Sequence, residues 1–350
     1  MLSDTTTIAI LTDELIKIAL LAIGGFSLSM ALTPLYTFVA YRYKFWKRQR
    51  TTATTGEDLA VFTQLHKAKF KRHIPTMAGL IILVSVGTIT LLFNLDREQT
   101  WLPLAALIGG GLVGLLDDII NIRGRIAGVA GLRSSLKFAM ITAVALIGAW
   151  FFYAKLGPEY HSIHVPFIAE PWYLGWLIIP LFVLAVVSAG NAVNISDGLD
   201  GLAGGLLATA YAVFAVIALF QGNFGIAGFC FTILGALLSY VWFNIYPARF
   251  FMGDVGSFAL GTSLGVVAML TNTIFLLPIV ALVFVAEAGS SLIQIVSKKL
   301  FKRRVFISAP LHHHLEAVGW PETKVTMRFW VIGNVVGVLT ILLALAGGYI

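Results

Sequence analysis

Long apolar runs alternate with short polar segments along this 350-residue chain. A membrane-spanning helix needs about 20 mainly apolar residues, and a helix satisfies its own backbone hydrogen bonds in lipid. The pattern therefore predicts an all-α, polytopic integral membrane protein with about ten transmembrane helices. The predicted spans cover residues 15–40, 76–94, 101–116, 134–154, 172–190, 201–220, 223–243, 257–272, 274–297 and 329–350. The third and eighth spans are short and adjoin acidic motifs, so we expect partial spans that line a polar cavity.

Composition supports this class. Hydrophobic residues make up 58% of the chain and charged residues 12%, whereas soluble domains have about 25% charged residues. We expect a single transmembrane domain over residues 1–350. The one cysteine, Cys230, lies in an apolar run, which excludes an internal disulfide and a cysteine metal cluster. The N-terminal segment has no basic region, and we interpret it as a lead-in to the first span rather than a cleaved signal.

The basic residues predict the orientation. Of the 24 Lys and Arg residues, 21 fall in the loops on one side of the ten predicted spans. Basic loops stay in the cytoplasm, so both termini are expected outside and the motif-bearing loops inside. The net charge of +7 is concentrated in these loops. Topology accounts for it, and we expect no nucleic-acid partner.

The first motif is the acidic pair Asp117 and Asp118, at the end of the third predicted span. Two adjacent carboxylates raise each other's proton affinity, which suits a general base or a metal ligand. The alternative is a solvated pair at a helix end.

The second motif is NAVNISDGLDG, which contains Asn191, Asn194, Asp197 and Asp200. The first three are spaced three apart and are expected to share one helix face, with Asp200 continuing the row. Amide and carboxylate groups in such a row can hold Mg²⁺ and hydrogen-bond a nucleoside. The alternative is helix capping at the start of a span.

The third motif places Asp254 between two glycines, which predicts an exposed acid on a tight turn. Mg²⁺ prefers one or two carboxylates with waters and substrate phosphates, so Asp254 with Asn194 or Asp117 would suffice as its ligands. The neighbouring Phe251 could stack on a base or pack between helices.

Two further segments carry candidate phosphate-binding groups. For the histidine triplet His312–His314 we predict phosphate binding or proton transfer by one ring, and we expect Glu316 to orient a histidine. The alternative is a polar interfacial loop. The basic stretch 65–79 could bind lipid headgroups or a diphosphate, although positive-inside topology explains most of its charge.

Five blocks of this sequence resemble, in order, the signatures of the polyprenyl-phosphate N-acetylhexosamine-1-phosphate transferases. The blocks are KRHIPTMAG, GLLDD, NAVNISDGLDGLAGG, FNIYPARFFMGDVGSFALG and APLHHHLEAVGWPETKVTMRFW. The resemblance implies a ten-helix bacterial inner-membrane enzyme with a cytoplasmic, Mg²⁺-dependent site, and a homodimer. The last block resembles the branch that transfers phospho-N-acetylmuramoyl-pentapeptide in cell-wall assembly. That branch implies UDP-MurNAc-pentapeptide as donor, undecaprenyl phosphate as acceptor, and lipid I and UMP as products.

The motif positions assign roles by resemblance. Catalytic roles fall to Asp117, Asp118, Asp254 and His312. Substrate-binding roles are predicted for Lys71, Lys137, Asn191, Asn194, Asp197, Asp200, Asn244, Phe251, His313 and His314. Asp254 and Asn194 are the predicted Mg²⁺ ligands. The chain departs from the family at Ala78, where a glycine is usual, and at Asn121, where a lysine is usual; Arg123 or Arg125 is hypothesised to replace that charge.

The expected chemistry is phosphoryl transfer between two anions, carried by positioning and charge neutralisation. One of Asp117 or Asp118 would position or deprotonate the polyprenyl phosphate, and His312 would contact the donor phosphate. A two-step route through an aspartyl-phosphate is the alternative. Three other functions compete: transfer from UDP-GlcNAc to another envelope polymer, an ion-coupled transporter with midplane carboxylates, and a non-catalytic scaffold.

Overall fold

The computed structural model describes residues 2–46, 73–96, 98–124 and 131–350, with the backbone alone for residues 2–10. These ranges are mainly helical and contain very little strand, so the predicted all-α class is confirmed. The helices are α1 (Leu2–Arg42), α2 (Gly79–Phe93), α3 (Trp101–Arg123), α4 (Ser134–Lys155), α5 (Ile178–Ser196), α6 (Leu202–Phe220), α7 (Phe224–Asn244), α8 (Gly253–Leu270), α9 (Leu277–Val280), α10 (Leu282–Phe301), α11 (Leu311–Ala317) and α12 (Glu322–Ala346).

A small extended segment joins α4 to α5. It contains two 3₁₀ turns, Pro158–His161 and Gly175–Leu177, and a two-stranded antiparallel sheet of β1 (Ser162–Ile163) and β2 (Trp172–Tyr173). Ser162 pairs with Tyr173, and Ile163 pairs with Trp172. The acidic pair is near the C-terminal end of α3, where Asp117 contacts Lys137 at the start of α4. The extended segment follows the other end of α4. It is therefore separated from the acidic pair by the length of that helix.

Eight helices of the described chain are long and apolar enough to cross a membrane. Two other helices fall at predicted spans: α2 is apolar but has 15 residues, and α10 is not among the eight. The polytopic membrane class is therefore confirmed, while the count of ten and the side of the termini stay predictions. The ninth predicted span, 274–297, is divided between α9 and α10 at Ala281.

The third predicted span is longer than its apolar run. We expected a partial span over residues 101–116, but α3 has 23 residues and continues to Arg123. The helix continues because Asp117 and Asp118, which end the apolar run, find partners for their carboxylates inside the bundle. An apolar run underestimates the length of a helix whose polar residues face protein rather than lipid.

Helix α8 lies at the centre of the bundle, with all 18 of its residues buried. It packs against α2, α3, α5 and α6. Small residues permit this close packing: a Cβ atom at Gly265 would lie 2.8 Å from the Cα of Val186 on α5, and one at Gly114 on α3 would overlap the carbonyl oxygen of Asp254. The first turn of α8 is thus fixed against α3.

Candidate functional site

Three helices bring charged side chains together where α8 begins. The Nζ atom of Lys137, in the first turn of α4, lies 3.1 Å from Oδ2 of Asp117 and 2.9 Å from Oδ2 of Asp254. Asp117 also accepts a hydrogen bond of 2.6 Å from the backbone N–H of Leu132. Asp117 and Asp254 are buried, and buried charges are stable only when they are paired. Lys137 therefore pairs with two carboxylates from different helices.

The position of Asp254 corrects the sequence interpretation. Instead of an exposed acid on a turn, Asp254 is the second residue of α8 and is 8% exposed. The turn precedes it at Gly253, whose φ of +76° favours glycine and where a Cβ atom would lie 2.5 Å from Oδ2 of Asp118. The acid is buried because the whole of α8 is enclosed by its neighbours.

Asp118 supports the first turn of α8. Its Oδ2 atom accepts a hydrogen bond of 3.1 Å from the backbone N–H of Val255. The first N–H groups of a helix have no partner within the helix, and a carboxylate there also meets the positive end of the helix dipole. The adjacent acids therefore differ in surroundings: Asp117 contacts Lys137, whereas Asp118 holds the backbone that carries Asp254.

The motif 191–200 is divided by the end of a helix. Asn191 and Asn194 lie on α5, which ends at Ser196, so Asp197 and Asp200 do not continue their row. The single-face arrangement was wrong because the chain turns at Asp197. The motif thus covers the end of α5 and reaches Gly201, directly before the start of α6.

The two asparagines have different partners. Asn194 donates a hydrogen bond of 2.9 Å from Nδ2 to Oγ of Ser257, in the first turns of α8. Asn191 donates one of 2.8 Å to the Val187 carbonyl of its own helix. Only Asn194 thus joins the polar groups around the start of α8.

Asp200 and Asn244 organise the loops beside this cluster. Oδ2 of Asp200 accepts a hydrogen bond of 3.0 Å from the backbone N–H of Ala248, and Oδ1 of Asn244 accepts one of 3.0 Å from that of Gly201. The backbone N–H of Asp200 donates to Glu322 over 2.6 Å. These contacts connect the loop 197–201 to the end of α7, to the segment that follows it and to the first residue of α12. Their predicted substrate-binding roles stay predictions.

The histidine triplet belongs to the short helix α11, and its first ring is paired with a glutamate. Nδ1 of His312 lies 2.8 Å from Oε2 of Glu287 on α10, and the His312 backbone N–H donates to Oε1 over 3.1 Å. Both residues are almost fully buried. The alternative of a polar interfacial loop is therefore wrong. Glu287 was missed by sequence reasoning, although a lone acid inside an apolar run is by itself a signal of a functional group.

The other two histidines have separate partners. Nδ1 of His313 lies 2.8 Å from Oε2 of Glu316, so the expectation that Glu316 orients a histidine is confirmed. Nδ1 of His314 accepts a hydrogen bond of 3.3 Å from the backbone N–H of Ile307. Adjacent rings on this helix thus have different partners.

The first histidine connects the motifs. A Cβ atom at Gly198 would overlap the Nε2 atom of His312, so this imidazole lies directly against the loop that follows α5. The Nδ1 contact with Glu287 leaves Nε2 on the side of this loop. The loop 197–201 therefore contacts His312, and the helix that precedes this loop contacts the first turns of α8 through Asn194.

The remaining predicted residues have varied placements. Phe251 is half-buried, and its backbone exchanges hydrogen bonds with Pro75 and Ala78 over 2.8 and 3.0 Å. Ala78 is fully buried there. Asn121 is also buried, and its Oδ1 atom accepts no hydrogen bond from the described residues. Arg123 is exposed. Lys71 and Arg125 lie outside the described residues.

The donors near the start of α8 suit a hard divalent cation. Asp117, Asp254 and the carbonyl oxygen of Asn194 offer only oxygen atoms, which Mg²⁺ and Ca²⁺ prefer. Within the described ranges, no group of three or more His, Cys, Asp or Glu side chains is arranged to hold a metal. The protein would therefore supply one or two carboxylates, and waters or substrate phosphates would complete the coordination.

Fold and site together define a membrane-embedded, all-helical protein with a buried centre of acids, lysine and histidine. The family model described as glycosyl transferase family 4 matches residues 100–272. A phospho-N-acetylmuramoyl-pentapeptide-transferase of Chloroflexus aggregans is 37% identical over 352 aligned residues, which cover 97% of this chain and 93% of the relative.

Two relatives with the same description come from other bacteria. The protein of Desulfotalea psychrophila is 40% identical over 77% of this chain and 80% of its own length. That of Bacillus mycoides is 37% identical over 91% of this chain and 94% of its own length. The chain belongs to the phospho-N-acetylmuramoyl-pentapeptide-transferase family, and the family expected from the five sequence blocks is confirmed.

Proposed function

We propose that this protein transfers phospho-N-acetylmuramoyl-pentapeptide from UDP-MurNAc-pentapeptide to undecaprenyl phosphate, which yields lipid I and UMP for peptidoglycan synthesis. The relatives' printed name supports this transfer. The observation that carries the proposal is a pair of buried polar clusters at the two neighbours of the end of α5. The Lys137 cluster with its two carboxylates lies at the start of α8, which Asn194 of α5 contacts, and the His312–Glu287 pair lies against the loop that follows α5. Such a constellation suits a reaction between two phosphate groups.

Charge neutralisation is the main task, because donor and acceptor are both anions. Lys137 contributes a fixed positive charge beside Asp117 and Asp254. We infer that Asp254, with Asn194 or Asp117, would hold Mg²⁺, which when bound would neutralise charge on the donor diphosphate. This oxygen-rich donor set matches the ion, and the family is one that uses a divalent metal.

Asp117 is our choice for the group that orients the acceptor phosphate or removes its proton. Its carboxylate contacts the Lys137 ammonium at 3.1 Å. If the acceptor phosphate bound to this ammonium, it would lie beside the Asp117 carboxylate. Asp118 acts indirectly in this scheme, because its Oδ2 atom holds the backbone beside Asp254. A two-step route through an aspartyl-phosphate remains the alternative mechanism.

His312 would contact the donor phosphate through Nε2. Glu287 contacts Nδ1 at 2.8 Å and would fix the orientation of the ring. Nε2 would then be held beside the loop 197–201, at a place separate from Lys137. Binding roles for Asp197, Asp200, Asn244, Phe251, His313 and His314 belong to the same proposal.

The proposed location is the bacterial inner membrane, with the site on the cytoplasmic side. The membrane-embedded character follows from the eight spanning helices and from bacterial relatives. The asymmetry of 21 among 24 basic residues supports the cytoplasmic orientation. Homodimer formation stays an expectation from the family.

The decisive experiment measures UMP release by the detergent-purified protein with undecaprenyl phosphate and Mg²⁺. Parallel reactions would contain UDP-MurNAc-pentapeptide or UDP-GlcNAc. Lipid-dependent, EDTA-sensitive release from the muramoyl donor alone is the expected result. Release from UDP-GlcNAc alone would overturn the proposed donor while keeping the reaction class, and no release by folded protein would overturn both.

A further inference from the structure

A dense basic patch lies where α10 ends, outside the clusters used by the proposed reaction. Five of the seven residues from 298 to 304 are Lys or Arg, and residues 288–315 contain no Asp or Glu. Four of the five cations are exposed. Three apolar residues follow the last cation and end at Ile307. We call residues 298–307 the basic fold-back. The basic residues are Lys298, Lys299, Lys302, Arg303 and Arg304.

Specific hydrogen bonds give the basic fold-back its shape. The helix ends at Lys302, which has a left-handed φ of +52°. Gln294 on α10 then binds the returning chain: its Oε1 atom accepts from the backbone N–H groups of Val305 and Phe306, each over 3.0 Å, and its Nε2 donates to the Phe306 carbonyl over 2.9 Å. Ser297 donates to the Arg303 carbonyl over 3.0 Å. The cations are thus presented together on a formed turn.

Large apolar side chains are exposed among these cations. Leu300 is 67% exposed, Phe301 69% and Val305 55%. Exposed apolar groups are unfavourable in water but favourable at the boundary between headgroups and acyl chains, where adjacent cations meet lipid phosphates. The positive-inside rule explains why cations occur in this loop. It does not account for a Phe and a Leu exposed between them on a turn held by a buried glutamine.

We propose that the basic fold-back is a docking surface for anionic phospholipid headgroups, with phosphatidylglycerol as the probe of that class. Charge complementarity identifies the occupant, because the basic fold-back has five cations and no acidic residue of its own. These cations would attract the phosphate of an anionic lipid and repel the ammonium group of a zwitterionic one. Phosphatidylcholine should therefore bind less well. The surface is independent of the proposed transferase activity, since headgroup binding requires neither substrate.

The basic fold-back also contacts the histidine helix. The backbone N–H of Ile307 donates to Nδ1 of His314, and the Phe306 ring lies edge-on to the His314 ring with centroids 5.5 Å apart. Headgroups bound to the fold-back would hold α11 at a defined depth relative to the membrane surface. In the proposed reaction, the polyprenyl acceptor would also reach the protein from the membrane.

Fluorescence quenching in vesicles tests the proposal directly. Cys230 is fully buried, so a Val305→Cys variant of the full chain can be labelled selectively with bimane at the fold-back. Tail-brominated phosphatidylglycerol or phosphatidylcholine would be added at equal mole fraction to phosphatidylcholine vesicles. Because each surface cation favours anionic lipid by roughly fivefold, half-quenching should need at least about fivefold less brominated phosphatidylglycerol.

Matched double variants locate the effect. In the labelled background, Lys302→Gln/Arg303→Gln should remove most of this preference. Lys324→Gln/Arg328→Gln removes the same charge from α12, where both cations lie over the Trp320 ring at 4.6 and 4.5 Å, and should preserve it. Equal loss in the two double variants would show that overall charge, not the fold-back, attracts the lipid.

Two further measurements test the proposal without the double variants. The preference should fall when salt is raised from about 0.1 M to about 1 M, because exposed charges are screened. Equal quenching by the two lipids at low salt would refute the proposal. Relief of quenching by an equimolar amount of undecaprenyl phosphate would reassign the surface to capture of the isoprenoid phosphate.

Discussion

The pairing of Glu287 with His312 gives the sharpest prediction about catalysis. The change is Glu287→Gln, which keeps the size and one acceptor oxygen of the side chain but removes its charge. In the native protein this carboxylate contacts Nδ1 of His312 at 2.8 Å and accepts the His312 backbone N–H at 3.1 Å, with both residues buried. A neutral amide would make weaker hydrogen bonds to His312 than the carboxylate does.

The expected magnitude follows from the strength of hydrogen bonds to charged groups. Such a bond contributes about 1.5–3 kcal/mol, and about 1.4 kcal/mol corresponds to a factor of ten in rate. If that stabilisation is used in the transition state, kcat for UMP release should fall roughly 10- to 100-fold. The KM for the polyprenyl acceptor should change little, because Glu287 contacts His312 rather than the lipid site.

The assay is steady-state UMP release with both substrates varied, so that kcat and KM are separated. Ser290→Ala on the same helix is the matched control, because the Ser290 hydroxyl donates only to the Glu287 carbonyl of its own helix, over 2.8 Å. Glu287→Asp tests whether restored charge rescues activity. A kcat within about twofold of wild type for folded Glu287→Gln protein would refute the reasoning, since a lost charged partner should cost more.

A double-mutant cycle adds a test that a structural effect would not pass. In a His312→Gln background the imidazole is absent, so Glu287→Gln should lower kcat much less than it does in the native background. Additive losses would instead indicate that Glu287 acts by supporting α10 in general.

Three further predictions concern the Lys137 cluster and the helix that carries it. Lys137→Met should lower the melting temperature and nearly abolish UMP release, because removal of one partner of a buried pair costs about 3 kcal/mol and leaves Asp117 and Asp254 facing each other; thermal unfolding and the UMP assay measure both. Gly114→Ala should strongly reduce activity, because its Cβ would overlap the carbonyl oxygen of Asp254; Gly87→Ala, with no atom within 4 Å of the new Cβ, should match wild type in the same assays. EDTA should abolish UMP release and excess Mg²⁺ should restore it; full activity in EDTA would contradict the proposed use of a divalent cation.

The sequence by itself determined the class of protein and the chemical groups of its site. Apolar runs of span length cannot form a soluble core, so the all-α membrane architecture follows from hydrophobic patterning alone. Acids at the ends of such runs identified Asp117, Asp118 and Asp254, because ionisable groups near a membrane are costly without a purpose. Their motif context also identified the family.

Tertiary structure decided which groups meet. Lys137 lies 117 residues from Asp254, and the periodicity of a helix shows which face is apolar but not which neighbour it contacts. Burial of α8 on all sides turned Asp254 from an expected surface acid into an enclosed one. Glu287 became the partner of His312 because α10 and α11 pack together, across 25 residues of sequence. The local pattern of apolar and polar residues determines where helices form. Which helices contact each other depends on tertiary packing, and only the complete fold shows that.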